Sequence, residues 1–183
     1  MNLRSCITAL ALLPVAAVAA ASAPPRIDAC VLLQAEQIAA VIGQAVEPGV
    51  RRDAGMEDNG AYSSSCVWLL SSEKGRARPR SLVILNAQQF PTGSGRAHEF
   101  LDAFREAAAS GVLPRAPDAR RFGDEALWWG DGLAVRRRDT SFGLSVHLPG
   151  SPPATAGEWE ERLAPLILGQ LDRATLVTRT AYP

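Results

Sequence analysis

The stretch of sequence that decides the fold, the opening stretch, covers residues 121–148 and reads RFGDEALWWGDGLAVRRRDTSFGLSVHL. Two short segments within it, Gly130–Asp131–Gly132 and Asp139–Thr140, consist of residues that favour tight turns. The segments on either side of these turns have the apolar patterns of strands in a partly buried sheet. We therefore predict three consecutive strands joined as hairpins, over residues 125–129, 133–138 and 141–148.

The second of these hairpins has a predicted register. A two-residue turn at Asp139–Thr140 places Arg138 opposite Ser141 and Val135 opposite Leu144. Because successive side chains on a strand point to opposite faces, one face of this hairpin is apolar and is predicted to enter the core. That face carries Leu133, Val135, Phe142, Leu144 and Val146.

The opposite face of the hairpin holds candidate binding residues. It carries Arg136, Arg138 and His147, with the small residues Gly143 and Ser145 between them. Arginine offers planar hydrogen-bond donors to carboxylates and phosphates, so this face is a candidate site for an anion or a partner protein. The structural alternative is a solvated sheet face, or one that a helix covers.

The tryptophan pair adds a fourth candidate residue. Trp128 and Trp129 are adjacent on a predicted strand and therefore point to opposite faces of the sheet. At most one of them enters the core, and the other lies under a helix or forms a contact surface. We place Trp129 in the candidate binding site.

Outside the opening stretch, apolar periodicity predicts three helices and two further strands. The helices cover residues 29–42, 94–110 and 156–174, and the strands cover residues 64–70 and 81–89. Asp28 can cap the first helix and Gly43 can follow its end, whereas Pro165 is expected to kink or split the last helix. Residues 44–61 are predicted to form a loop, and residues 114–121 an extended linker.

The predicted order of elements is therefore α-β-β-α-β-β-β-α. Since hairpins join the last three strands, we predict an α+β fold with a largely antiparallel sheet packed with helices. The middle of the strand at 81–89 is Leu82–Val83–Ile84–Leu85, which is apolar on both faces. This pattern is typical of a central strand that is covered on both sides.

The N-terminus has the layout of a secretory signal peptide. Arg4 precedes an apolar run that is too short for a good membrane span, and small residues follow it. Ala19 and Ala21 predict cleavage before Ser22, which leaves residues 22–183 as a single domain. Ala21 and Ala23 also fit the pattern, but that cut would leave Pro24 at the new N-terminus. We expect a secreted or periplasmic protein that has no stable membrane insertion after cleavage. An uncleaved anchor is the alternative.

The charge balance and the cysteine content limit the kinds of partner and of cysteine chemistry that we expect. Without residues 1–21 the chain has 18 basic and 19 acidic residues, and this balance argues against nucleic acid as a partner. Two cysteines then remain, Cys30 and Cys66, and in an oxidising compartment two cysteines most simply form one disulfide. A redox pair is the alternative, but it would favour Cys-x-x-Cys spacing.

The chain offers few residues for catalysis or metal binding. The two histidines, His98 and His147, are far apart, so we predict no metal site and no cofactor. No Gly-x-Ser-x-Gly motif is present, and a serine–histidine–aspartate site would have to be assembled from distant parts around His147. Asp124 and Glu125 are adjacent on a strand and point to opposite faces, which favours a structural role over an acid–base pair.

Several short motifs together resemble a known group of proteins. They are Asp28–Ala29–Cys30–Val31–Leu32–Leu33, Glu36–Gln37–Ile38, Gly43, Cys66–Val67–Trp68, Gly123–Asp124–Glu125–Ala126 and Leu133–Ala134–Val135–Arg136. The chain resembles small bacterial cell-envelope domains of unknown function, secreted or lipoprotein, that are similar to the extracellular sensor domain of bacterial serine/threonine kinases. The resemblance implies an α/β sandwich with a helix-to-strand disulfide, and it supplies no catalytic residues.

The sequence thus favours an exported, non-catalytic domain that binds a partner protein or a small ligand in the bacterial envelope. Two other hypotheses stay open: a hydrolase whose site is assembled across loops, and a carrier of an apolar small molecule between sheet and helices. Converging titratable groups in a pocket would favour the hydrolase. A dry apolar cavity would favour the carrier, and an exposed patch of aromatic and arginine side chains would favour a protein partner.

Overall fold

The computed structural model of the protein describes residues 26–71, 81–149 and 157–180, with side chains up to residue 174. The predicted signal peptide, residues 1–21, lies outside the described residues. The described elements form an α+β fold in which one seven-stranded antiparallel sheet packs against helices, so the predicted fold class is confirmed. No helix in the described ranges has the length and apolarity needed to cross a membrane.

The sheet has the strand order β1-β2-β3-β7-β6-β5-β4. Every neighbouring pair is antiparallel. The strands are β1 (Val50–Met56), β2 (Tyr62–Leu69), β3 (Leu82–Gln89), β4 (Asp118–Arg120), β5 (Glu125–Trp128), β6 (Leu133–Arg137) and β7 (Thr140–His147). The predicted meander is therefore present as β5, β6 and β7, and β3 lies in the interior of the sheet as expected.

Helices pack on both faces of the sheet. Their bounds are α1 (Ala29–Leu32), α2 (Ala35–Ile42), a 3₁₀ turn (Arg96–His98) that leads into α3 (Glu99–Ala109), and α4 (Glu158–Thr180). On the core face, α1, α2 and α4 enclose the main apolar cluster, which contains Trp68, Leu85, Leu133, Val135, Phe142 and Leu144. On the second face, Leu101 of α3 packs against Leu127 and Ala134.

Two buried serines fasten helical segments to the sheet. The Ser64 hydroxyl accepts a hydrogen bond of 3.0 Å from the backbone N–H of Ala29, at the start of α1. On the other face, the Ser141 hydroxyl donates to the carbonyl oxygen of Ala97 at 2.5 Å. Both serines are almost completely buried. A buried hydroxyl needs a partner to offset its desolvation, so these bonds fix where each helical segment lies on the sheet.

The disulfide between Cys30 and Cys66 is confirmed, with 5.2 Å between the two Cα atoms. It joins α1 to the middle of β2. The predicted single helix over residues 29–42 is wrong, because the chain is extended at Leu33 and divides into α1 and α2. Gln34 causes the division: its side-chain amide donates to the carbonyls of Cys30 and Val31, and it forms a reciprocal cap with Gln37 at the start of α2.

Both edge strands were missed by the sequence prediction. β1 lies within residues 44–61, which were predicted to be loop, and it pairs with β2 around a bulge between Arg51 and Ala54. Its side chains are almost all exposed, so it carries no apolar alternation. β4 lies in the predicted linker and has three residues. An edge strand that buries little side-chain surface lacks the pattern by which strands are recognised.

The predicted register of the second hairpin is wrong, because its turn begins one residue earlier in the chain than predicted. The turn consists of Arg138 and Asp139, so Arg137 pairs with Thr140 and Val135 pairs with Phe142. Arg138 takes a positive φ of 55° in this turn. The shift relative to the prediction is two residues, and an even shift keeps each side chain on its face. The predicted core face is accordingly confirmed.

The last helix also differs from its prediction. α4 runs without interruption from Glu158 to Thr180, with Pro165 inside it. The side chain of Arg137 at the end of β6 reaches this helix, where its guanidinium donates two hydrogen bonds to the carboxylate of Asp172. The opening stretch is therefore joined to the last helix by an ion pair as well as by apolar contacts in the core.

Candidate functional site

Helix α3 covers only part of the second face of the sheet. It lies over β6 and β7, where Ser141, Gly143 and Ala134 are buried. Towards β1 the same face stays accessible: Val67 and Ile84 are half-buried, and Val50 is 49% exposed. Aliphatic side chains are thus present on a sheet face that is not closed by a described helix. A partly accessible apolar surface of this kind is a candidate contact site.

The strand register places these side chains in one row across the sheet. Val50 pairs with Val67, Val67 with Ile84, and Ile84 with Ser145. Leu133 pairs with Leu144, so the preceding Gly132 lies beside Ser145. The N–H of Trp129 donates to the carbonyl of Gly132 at 3.1 Å, which extends the same row to β5. Six strands at about 4.8 Å spacing make this row roughly 24 Å long.

A second, shorter row lies next to the first one. Leu69 pairs with Leu82, and Leu82 pairs with His147. These residues are two positions along their strands from Val67, Ile84 and Ser145 and therefore lie on the same face. The open face is defined here by both rows together: Val50, Val67, Leu69, Leu82, Ile84, Trp129, Gly132, Ser145 and His147.

Aromatic side chains form a wall at the α3 end of the open face. The ring of Trp129 stacks on Phe104 with 4.4 Å between ring centroids, and Phe100 meets Phe104 edge-on at 5.6 Å. Gly132 lies directly under Trp129, because a Cβ atom there would come within 2.3 Å of Cζ2. A Cβ at Gly143 would come within 3.1 Å of Phe100. Both glycines therefore provide the space that the aromatic wall occupies.

The two tryptophans of the opening stretch have different environments, as predicted. Trp128 is 4% exposed and belongs to the main core, where Gly157 packs against its ring. Trp129 is partly exposed and packs against Phe104. Of the candidate binding residues, Trp129 and His147 lie on the open face.

The other two candidate residues lie at the opposite end of the sheet. Arg136 pairs with Ser141, whereas His147 is six residues further along β7, which corresponds to about 20 Å of strand. The Arg136 guanidinium donates to Glu125 at 3.3 Å and lies 3.6 Å from the carboxylate of Asp124. Arg138 lies in the turn, 3.6 Å from Asp172. The structure therefore does not bring the four predicted residues together.

These arginines belong to a charge network that joins three parts of the fold. Arg105 of α3 bonds to Asp102 at 2.6 Å and to Glu125 of β5, and Arg137 of β6 bonds to Asp124 at 3.1 Å. The network matches each arginine with at least one carboxylate, as a structural clamp would. Its members are Arg105, Arg136, Arg137, Arg138, Asp102, Asp124, Glu125 and Asp172.

The network lowers the pKa of both adjacent carboxyl groups. Hydrogen bonds from Arg105 lower the pKa of Glu125, against a smaller opposing effect of burial, and Arg136 lowers it further. For Asp124, partial burial favours the protonated form, but the N–H of Arg138 and the side chain of Arg137 outweigh it and lower the pKa. Both groups are therefore ionised partners of arginine. A general acid at neutral pH would need its pKa raised.

The geometry also bears on the hydrolase hypothesis. Asp124 accepts hydrogen bonds at the turn end of the hairpin, whereas His147 lies at the far end of β7. The two side chains that could orient a serine nucleophile are therefore not neighbours. Within the described ranges, no group of three or more histidine, cysteine or acidic side chains could hold a metal ion.

The sequence reasoning missed most residues of the open face. Its one available signal was the apolar character of both faces of β3. That pattern was interpreted as a strand with helices on both sides, but Ile84 is only half-buried and Asn86 is exposed. Comparisons with protein families, curated proteins and solved structures give no match for this chain. Its function therefore has to be argued from the site itself.

Proposed function

We propose that the protein is an exported, non-catalytic domain of the bacterial envelope that binds a partner protein through the open face. The observation that carries this proposal is the row of uncharged residues from Trp129 to Val50, in which Ser145, Ile84, Val67 and Val50 stay at least partly accessible. The disulfide is consistent with a place outside the cytoplasm, and so are the N-terminal pattern and the resemblance to envelope domains.

The chemistry of the open face indicates what the partner presents. Its centre, Val67, Leu69, Leu82 and Ile84, is aliphatic, and Trp129 offers a large aromatic contact at one end. Binding interfaces draw much of their free energy from a few buried anchors, among which tryptophan is enriched, while the surrounding contacts exclude water. A serine and amide surface borders this aliphatic centre outside the open face, where the Ser65 hydroxyl donates to Asn86 at 2.7 Å. We therefore propose that the partner contributes an apolar segment.

The test uses photo-crosslinking from within the site. A mature protein that carries a photoreactive amino acid at Val67 is irradiated in envelope extract, and a second version carries it at Val31, which is 60% exposed on α1. We expect discrete crosslinked proteins from position 67 that are absent from position 31. Unlabelled wild-type protein should compete the crosslinks away.

Matched competitor variants decide whether the open face is responsible. Ile84→Lys places a charge in the apolar row, and Asn86→Lys places the same charge on the same strand and face, two residues away. We expect the Asn86→Lys protein to compete within about threefold of wild type, and the Ile84→Lys protein to need at least tenfold more. Equal competition by both variants, or identical crosslinks from positions 67 and 31, would overturn the proposal. Crosslinking only to small apolar molecules would favour the carrier hypothesis instead.

A further inference from the structure

A buried carboxyl group lies in the first turn of α4. Glu160 is 3% exposed, although neighbouring Glu158 is exposed and Glu161 is partly exposed. Its Oε1 atom accepts a hydrogen bond of 2.8 Å from the backbone N–H of Val146. Acidic side chains are seldom buried to this extent unless a cation pairs with them. The hydrogen-bond and charge partners around Glu160 therefore decide whether its carboxyl group is protonated or ionised.

The bond to Val146 completes the edge of a strand. β7 extends to His147, whereas its neighbour β6 begins at Leu133, which pairs with Leu144. Val146 consequently has no residue of β6 opposite it on that side, and the Glu160 oxygen takes the place of a strand carbonyl. An unpaired buried N–H is costly, so this carboxyl group joins the start of α4 to the end of β7.

The nearby cations are occupied elsewhere. Arg120 of β4 donates to Glu161 at 2.8 Å, and Arg162 lies over the ring of Trp159, 5.0 Å from its centroid. Among the described residues, none forms an ion pair with Glu160. Other charged or titratable groups on the elements around it are Asp28 at the start of α1, Glu36 on α2, Asp118 on β4, Arg136 and Arg137 on β6, His147 on β7, and Glu158, Asp172 and Arg173 on α4.

Most of these groups already have defined positions. Asp118 lies 3.9 Å from Arg120, and Asp28 pairs with Arg51. Asp172, which holds Arg137, is twelve residues along the helix from Glu160, or about 18 Å. His147 is exposed on the open face, opposite to the core face on which α4 packs. Glu160 therefore meets a backbone donor, apolar packing and the like charge of Glu161.

We propose that Glu160 is a proton-dependent latch, which holds the first turn of α4 against the end of β7 when protonated and loosens it when ionised. The device does not depend on the proposed binding function. Burial is the main cause of a raised pKa at Glu160, the N–H of Val146 and the residue's own N–H oppose the rise, and Glu161 adds to it. An ionised carboxylate in this place lacks the solvation that water would give it, and the backbone donors replace that solvation only in part.

The sign of the pH effect follows from linkage. The folded latch binds its proton more tightly than an exposed glutamate, whose pKa is about 4.3. In the closed latch the bond between Val146 and Glu160 is formed, and in the loosened latch it is broken. As pH rises from that value to the raised pKa of the closed latch, Glu160 of the loosened latch loses its proton first, so the closed latch becomes less favourable. One linked proton corresponds to at most a tenfold change in the opening equilibrium for each pH unit.

The test is hydrogen exchange and NMR on the mature wild-type protein and two variants. Glu160→Gln keeps a carbonyl oxygen for Val146 but cannot ionise, and Glu158→Gln removes an exposed carboxylate of the same helix turn as a matched control. After correction for intrinsic exchange, we expect the protection of the Val146 amide to fall up to tenfold per pH unit in wild type and Glu158→Gln. In Glu160→Gln it should stay constant.

The side-chain carboxyl signal of Glu160 gives a second readout that needs no variant. We expect its titration midpoint to lie above that of an exposed glutamate and the Val146 amide shift to follow the same curve. A midpoint near 4.3, or a wild-type protection factor that does not change with pH, would overturn the latch. The same pH slope in Glu160→Gln as in wild type would also overturn it. Should Glu160→Gln fail to fold, the wild-type carboxyl titration decides alone.

Discussion

Replacement of Gly123 by alanine tests whether the glycine–acidic segment of the opening stretch is a structural element. Gly123 has a positive φ of 59°, and a Cβ atom there would lie 2.4 Å from the carbonyl oxygen of Arg136 and 2.9 Å from Val135. That carbonyl accepts the N–H of the next residue, Asp124, at 2.8 Å. The added methyl group therefore collides with the backbone of β6 and with the hydrogen bond that holds the segment to it.

The expected loss of stability has two parts. A left-handed conformation costs an alanine about 1–2 kcal/mol, and displacement of the Asp124 hydrogen bond costs about 1–3 kcal/mol if its partners stay unpaired. Gly43→Ala is the matched control, because Gly43 has a φ of 77° and no atom within 4 Å of the added Cβ. It should show only the first part. The difference of about 1–3 kcal/mol isolates the close approach to Arg136.

Chemical denaturation followed by tryptophan fluorescence measures both variants, and calorimetry gives the melting temperatures. For a chain of this size, 1 kcal/mol corresponds to roughly 2–4 °C, so Gly123→Ala should melt about 2–12 °C below Gly43→Ala. Equal losses for the two variants would refute the reasoning. Such a result would mean that β6 moves at little cost and that the segment is not fixed by its contact with Arg136.

Two further predictions concern stability. Replacement of both Cys30 and Cys66 by alanine opens a loop with a sequence separation of 36 residues. The free energy of unfolding, measured by guanidinium titration, should fall by about 4 kcal/mol in the chain-entropy model, and a fall below about 1 kcal/mol would contradict that model here. Because the pKa of Asp124 is lowered in the folded state, its contribution is present above the unfolded pKa of about 3.9 and is lost as pH falls through the folded value. Unfolding free energies of wild type and Asp124→Asn should therefore differ at pH 7 by about 1–2 kcal/mol and converge towards pH 2, and a constant difference would argue against the ion pair with Arg137.

The predicted faces of the meander were right although its register was not. Leu133, Val135, Phe142 and Leu144 are all fully buried, because alternation determines the face and an even shift preserves it. The position of the turn depends on which residue accepts a positive φ, and Arg138 does so with its N–H bonded to Asp124. A contact with a residue fourteen positions away has no local signal in the sequence.

The elements that the sequence did not predict were missed for a common physical reason. β1 and β4 are edge strands that bury little side-chain surface, and a strand of this kind is stabilised by backbone pairing that composition does not record. The break after Leu32 depends on a glutamine that caps two helices at once. Glutamine is common inside helices, so its presence alone does not predict a helix end.

The candidate site was predictable only in part. Trp129 and His147 were predicted as candidate binding residues, and both lie on the open face. Arg136 and Arg138 have carboxylate neighbours from β5, the preceding turn and α4. An ion pair between the acidic pair and an arginine of the meander was expected from the sequence, whereas the contact of Arg138 with Asp172 in α4 was not. The accessibility of Ile84 depends on where α3 ends its coverage. The 3₁₀ turn that leads into α3 is held on the sheet by the buried bond between Ser141 and Ala97, which is a long-range contact.

The bulged strand β1 and the very short strand β4 have a consequence for how these molecules can associate. A regular edge would offer a template on which further chains add one after another, with fibres as the end point. Here one border of the sheet is kinked and carries Arg51, Arg52 and Asp53, and the other offers three residues. Strand addition is therefore hindered at both edges of the sheet, and this protects a protein with the partly accessible apolar side chains of the open face from polymerising through its backbone.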